Sequence, residues 1–70
     1  MKNIEIDQEP IALYQILKLE ALVSSGGEAK VAIDEGRVLV NQEVETRRRK
    51  KIMSGDVIEF NQEHFNIVLK

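Results

Sequence analysis

The sequence contains no cysteine and no tryptophan, one proline, one histidine and only three aromatic residues. Without cysteine there is no disulfide framework and no thiolate metal site to support a small core, and no thiol nucleophile. The lone His64 has no partner ligand set, so no metal site is expected. No apolar run approaches the roughly 18 residues of a membrane span. The opening stretch, MKNIEIDQEP, carries acids where a signal peptide needs an uninterrupted apolar segment. The expectation is a soluble cytoplasmic protein with no membrane partner. No paired carboxylates, metal-ligand cluster or phosphate-cradling glycine-rich motif stand out, so neither an enzyme nor a cofactor is expected.

What is present is ordinary globular material: 70 residues, 43% hydrophobic and 31% charged. That length holds one domain, 1–70, and a domain of this size buries only about 60% of the surface its unfolded chain exposes. A monomer is the simplest expectation. The net charge of −2 hides a strong asymmetry, because RRRKK (47–51) holds half of the ten Lys and Arg. The remainder carries five bases against twelve acids, a body charge of −7. Such a body repels polyanions unless its cations converge on one surface.

The patterning predicts an α+β chain in the order strand, helix, helix, then sheet. Residues 3–6 (NIEI) alternate apolar and polar, the mark of a short N-terminal strand with Ile4 and Ile6 on one face. Asp7 to Pro10 has the composition of a helix start, since acids suit the positive end of a helix and proline is tolerated in its first turn. The first helix is expected at about 10–20, with Leu13, Ile16 and Leu17 inward and an end near Leu19 to Glu20. Ser25 and Glu28 have capping-box spacing, with the Ser25 hydroxyl accepting from the Glu28 N–H and the Glu28 carboxylate reaching back to the Ser25 N–H. The second helix is expected at about 26–35, with Ala29, Ala32 and Ile33 inward and Gly36 closing it. A small antiparallel sheet of four to five short strands should follow. Val38 and Val40 face inward, and Asn41-Gln42 stands where a hairpin turn belongs, looser than the usual Asn-Gly. Ser54-Gly55-Asp56 marks a turn, and VIEF and FNIVL are strands joined through Asn61 to His64.

These spaced residues resemble a known family. Ser25, Ala29, Lys30, Ile33, Gly36, Val38, Val40, Asn41, Gly55 and Asp56 match, in order, the pattern of the S4 (S-four) domain, an RNA-binding module named for small-subunit ribosomal protein four. The match runs from about Leu13 to Phe60. The chain departs from the pattern at Gly26, where the family commonly has Arg, and at Gln42, where it has Gly. Gly27, Glu28 and ETRRRKK look like the small stand-alone bacterial subfamily typified by YbcJ, in which no catalytic domain is attached. The resemblance implies a non-enzymatic protein whose partner is structured RNA, ribosomal RNA among the candidates.

Physical chemistry gives that implication a surface. Double-helical RNA is recognised mostly by shape and through its phosphates and 2′-hydroxyls. The free N–H groups at a helix start attract phosphate, and Gly26 and Gly27 allow close approach there. The candidate RNA-binding residues are therefore Ser25, Gly26, Gly27, Lys30 and Arg37, with Arg47, Arg48, Arg49, Lys50 and Lys51, sharing one surface beside the start of the second helix. The plainer readings are that Ser25 to Glu28 is only a cap and that the charge run only protects a strand edge. The alternative function is a protein-interaction module that docks on an acidic partner through the same basic segment. Tyr14, Phe60 and Phe65 are expected to pack in the core.

Overall fold

The computed structural model describes all of residues 1–70. Its elements are β1 (Lys2–Ile6), β2 (Ile11–Ala12), α1 (Leu13–Leu19), α2 (Gly26–Asp34), β3 (Val38–Val40), β4 (Glu43–Val44), β5 (Lys51–Ile52), β6 (Val57–Phe60) and β7 (Glu63–Leu69). The architecture is the expected α+β fold. Five strands form one sheet in the order β1-β7-β6-β3-β4, and β2 pairs with β5 in a separate two-stranded ladder.

The sheet is mixed rather than purely antiparallel. The alternation of β1 buries Ile4 and Ile6 as expected, and the strand lies parallel to β7 with Ile4 opposite Ile67. A strand at the chain start that must cover the same apolar face as β7 runs alongside it once the intervening chain has crossed the molecule. Both helices lie on the inner face. Sixteen buried residues make a single core and every one is apolar; Leu13, Leu17, Ala29, Ala32, Ile33, Val38, Ile52 and Ile58 are fully enclosed. Phe60 and Phe65 belong to this core. Tyr14 packs against its edge.

The expected start of α1 is displaced. Asp7 to Pro10 forms no helical turn; Ile11 and Ala12 are drawn instead into the ladder with β5, and the helix begins at Leu13. No side chain caps it. The first free N–H groups, of Leu13 and Tyr14, donate to the backbone carbonyls of Lys50 (2.9 Å) and Arg48 (3.2 Å). A helix whose orphan donors are satisfied by a distant segment needs no local acidic signal. The other end is as expected, with Glu20 as C-cap.

At α2 the Ser25 hydroxyl accepts from the Glu28 N–H at 3.1 Å. The reciprocal contact is shifted by one residue: the Glu28 carboxylate accepts from the Ser24 hydroxyl at 2.7 Å and lies 3.4 Å from the Ser24 N–H, not the Ser25 N–H. Gly36, at φ +75°, closes the helix in a conformation that costs a side-chain-bearing residue about 1–2 kcal/mol.

The Asn41-Gln42 turn is tight, not loose. Both residues have positive φ (51° and 72°), and Val40 pairs directly with Glu43. The same dipeptide recurs at Asn61-Gln62 (52° and 67°), where Phe60 pairs with Glu63. This backbone matches the twist of the flanking strands. At Asn41 the side chain secures it, accepting from the Val57 N–H at 2.9 Å and donating to Asp56 at 3.1 Å. Asn41 and Asp56 are therefore structural partners, linking the first hairpin to the Ser54–Asp56 turn. His64 lies within β7 rather than in a turn and meets Glu59 across the ladder at 3.0 Å.

Candidate nucleic-acid interface

The two helices meet along a seam set by four-residue spacing. Tyr14 and Lys18 are one turn apart on α1, and Gly26, Lys30 and Asp34 follow at the same interval on α2. The seam pairs them in antiparallel order. A Cβ placed on Gly26 would lie 3.9 Å from the Lys18 side chain. The Lys30 ammonium stands 5.4 Å from the centre of the Tyr14 ring, within reach of a cation–π attraction. Asp34 pairs with the guanidinium of Arg48 through both carboxylate oxygens.

The basic segment reaches this seam through its backbone. Its carbonyls hold the start of α1, and a turn in which the Lys50 N–H donates to Arg47 C=O (3.2 Å) presents the side chains. Immediately after it, fully buried Ile52 anchors the chain in the core.

The structure therefore brings Lys30 and the basic segment to neighbouring positions on the helical seam, with a correction to the expected arrangement. RRRKK lies beside the start of α1 and the C-terminal end of α2, not beside the start of α2. In an antiparallel helix pair those two ends are adjacent, and the carbonyls of Arg48 and Lys50 fix the segment there. Ser25, Gly26 and Gly27 stand at the opposite end of α2, with Lys18 as their cationic neighbour.

The cations are not equally free. Arg37 pairs with Glu35 at 3.1 Å. Arg47 is held to Glu45 by two side-chain bonds of 2.9 and 3.1 Å. Arg48 is held to Asp34. Arg49, Lys50 and Lys51 make no salt bridge, although Lys50 stands near enough to Glu45 for its charge to act there, and with Arg47 they alone line a shallow surface depression. Acidic groups are thus interleaved at three of the seven candidate cations, a feature the spacing of basic residues alone did not reveal. Lys18 and Asp34 were also missed, although their positions in the four-residue pattern on each helix were present to be read.

These pairs shift the acids. The Arg47 hydrogen bond, the largest influence, holds Glu45 down to about 2 from an ordinary 4.5, and the charge of Lys50 adds to it. Arg48 likewise lowers the Asp34 carboxyl. Between the ordinary and the folded value the unfolded chain binds more protons at Glu45, so stability rises with pH across that window. The stabilisation is complete above about 4.5 and is lost as pH falls toward 2. Replacing Glu45 with Gln should flatten the acid limb of the stability curve between those values, measured by urea unfolding at a series of pH values. An unchanged slope would show that the pair contributes nothing.

The S4-domain family model matches residues 4–68. The chain belongs to the S4-domain family. The S4 fold of this chain is similar to the solution structure of Escherichia coli YbcJ, described as containing an ALFAL motif involved in RNA binding, with a TM-score of 0.73 and 39% identity over 97% of this chain and 87% of that one. In sequence, YbcJ from strain K12 is 43% identical over 61 residues, 86% of this chain and 87% of its own length. RlbA of Bacillus subtilis, named as a probable ribosome maturation protein, is 50% identical over 56 residues, 80% of this chain and 79% of its own. Part of the 30S ribosomal protein S4e of Thermoplasma acidophilum is also similar in structure, with a TM-score of 0.68 and 25% identity over 93% of this chain and 34% of that one. No helix of the S4 chain is long and apolar enough to cross a membrane.

Proposed function

We propose that this S4-domain protein is a non-enzymatic binder of structured RNA, with ribosomal RNA or its precursors as the target class. It grips phosphates with the basic turn at 47–51 and reads helical shape along the α1–α2 seam. The observation that carries this reading is the depression lined only by Arg47, Arg49, Lys50 and Lys51. Three of its four cations are in no salt bridge, in a chain that is acidic elsewhere. The relatives favour the same reading: YbcJ is described through RNA binding, RlbA through ribosome maturation, and S4e is a ribosomal protein. Nothing in them supports the alternative of an acidic protein partner.

Within this reading the candidates divide by role. Arg49, Lys50 and Lys51 make the principal phosphate contacts. Arg47 and Arg48 are positioned by Glu45 and Asp34 and contribute less, because a polyanion must compete with a carboxylate already bonded. Lys30 and Lys18, with the N–H groups of Gly26 and Gly27, form a second contact region further along the seam. Arg37, paired with Glu35, is peripheral.

The test is the salt dependence of binding to a structured RNA, followed by fluorescence anisotropy. With about five phosphates neutralised, affinity should fall by roughly two orders of magnitude between 50 and 200 mM salt. An affinity that hardly moves over this range would refute phosphate recognition as the basis of binding.

A further inference from the structure

A groove on the N-terminal side of the molecule has the opposite character to the basic turn. It runs between β1 and α1, with a floor of Ile4, Ile6, Ile11 and Ile16, and Leu19 beside it. Leu19 is 69% exposed, an unusual position for a leucine on a short helix whose other apolar residues are enclosed. Glu5, Asp7 and Glu20 are among the residues that line the groove, and no cation lines it.

The distribution of acids singles this groove out. Of the twelve acidic side chains, those of Asp34, Glu35, Glu45 and Glu63 are in ion pairs, and that of Glu59 meets His64. Those of Glu9, Glu28 and Asp56 accept hydrogen bonds from the chain. Glu5, Asp7, Glu20 and Glu43 have neither, and three of these four border this one apolar groove.

The backbone offers a third element. β1 ends the sheet, with β7 as its sole neighbour. The Ile6 carbonyl faces β7, since it accepts from the Lys70 N–H at 2.8 Å. By strand alternation, Asn3 and Glu5 turn their N–H and C=O groups to the open edge. An open strand edge beside an apolar groove suits an added strand, with main-chain bonds giving affinity and the groove taking an alternate side chain.

We propose that this groove docks an extended basic segment of a partner protein, which adds to the edge of β1 and inserts one aliphatic side chain between β1 and α1. The unpartnered carboxylates select the charge of the occupant. They repel RNA, so this surface is separate from the one that binds it. They also disfavour a second copy of the chain, whose own β1 would bring Glu5 and Asp7 against the same acids.

The experiment titrates the ¹⁵N-labelled full chain with a synthetic peptide of alternating lysine and valine. Saturable shifts at Asn3, Glu5, Leu19 and Glu20 are expected, with affinity reduced on the order of tenfold in the Glu5→Gln, Asp7→Asn, Glu20→Gln triple variant. Leu19→Ala, at an exposed position that leaves the core intact, should weaken binding as well. Absence of binding, shifts confined to other surfaces, or unchanged affinity in the triple variant overturns the proposal. Equal binding of a glutamate–valine peptide overturns the charge selection. Shifts of the same groove residues on raising protein concentration alone identify a second copy as the occupant and overturn it too.

Discussion

Reversing Arg49, Lys50 and Lys51 together to Glu should lower affinity for structured RNA by about a hundredfold or more at moderate salt. Each cation that neutralises a phosphate contributes close to one unit to the slope of log affinity against log salt. Removing three should therefore flatten that slope by about three as well as weaken binding, and the two effects must appear together. The folded state should be spared, because these three side chains make no ion pair and the contacts that fix the turn use backbone atoms. A Lys70→Glu change, outside the turn, shifts the net charge by −2 against −6 for the triple reversal, and so gives the loss that net charge causes per reversal. If the triple variant remains folded by circular dichroism and binds as tightly as the parent, the basic turn is not the phosphate grip. A loss per reversal no greater than that of the Lys70 control would lead to the same conclusion.

Truncating Ile52 to Ala should be severely destabilising. Its side chain is fully enclosed and sits opposite Ile11 in the small ladder. Removing buried methylenes and leaving a cavity costs about 2–5 kcal/mol, a large share of the stability available to a domain of this length. In a chain of this size each kcal/mol moves the midpoint by about 4–8 °C, so a fall of roughly 8–40 °C is expected in a thermal melt. Ile58→Ala, equally enclosed but in the main sheet, supplies the comparison. The two should be similarly destabilised. Only the Ile52 variant should also lose RNA affinity at temperatures where both are still folded, because Ile52 tethers the basic turn directly. A midpoint shift of only a few degrees for Ile52→Ala would contradict its role as an anchor.

Local signals told the truth about local structure. Ser25, the glycine pair and Gly36 marked both ends of α2, Glu20 marked the end of α1, and the alternation of β1 and β3 gave the correct inward faces. The start of α1 was not legible near Asp7, because the acceptors that fix it belong to residues more than thirty positions later in the chain. The parallel pairing of β1 with β7 joins the two ends of the sequence, and no short-range pattern encodes that. At the basic turn the identity of the cations was plain from composition, while their availability was not. Arg48 is engaged by an acid on another element, which only the tertiary fold brings near. Arg47 and Glu45 are a different case, since two residues apart in extended chain they point the same way, and that pairing was open to inference.

The purely hydrocarbon core has a consequence for how this molecule can change over evolutionary time. With no buried polar side chain to keep satisfied, packing constrains the interior and charge constrains the exterior, and few residues answer to both demands. Lineages can therefore redraw the surface charge, and with it the choice of partner, while inheriting the same scaffold.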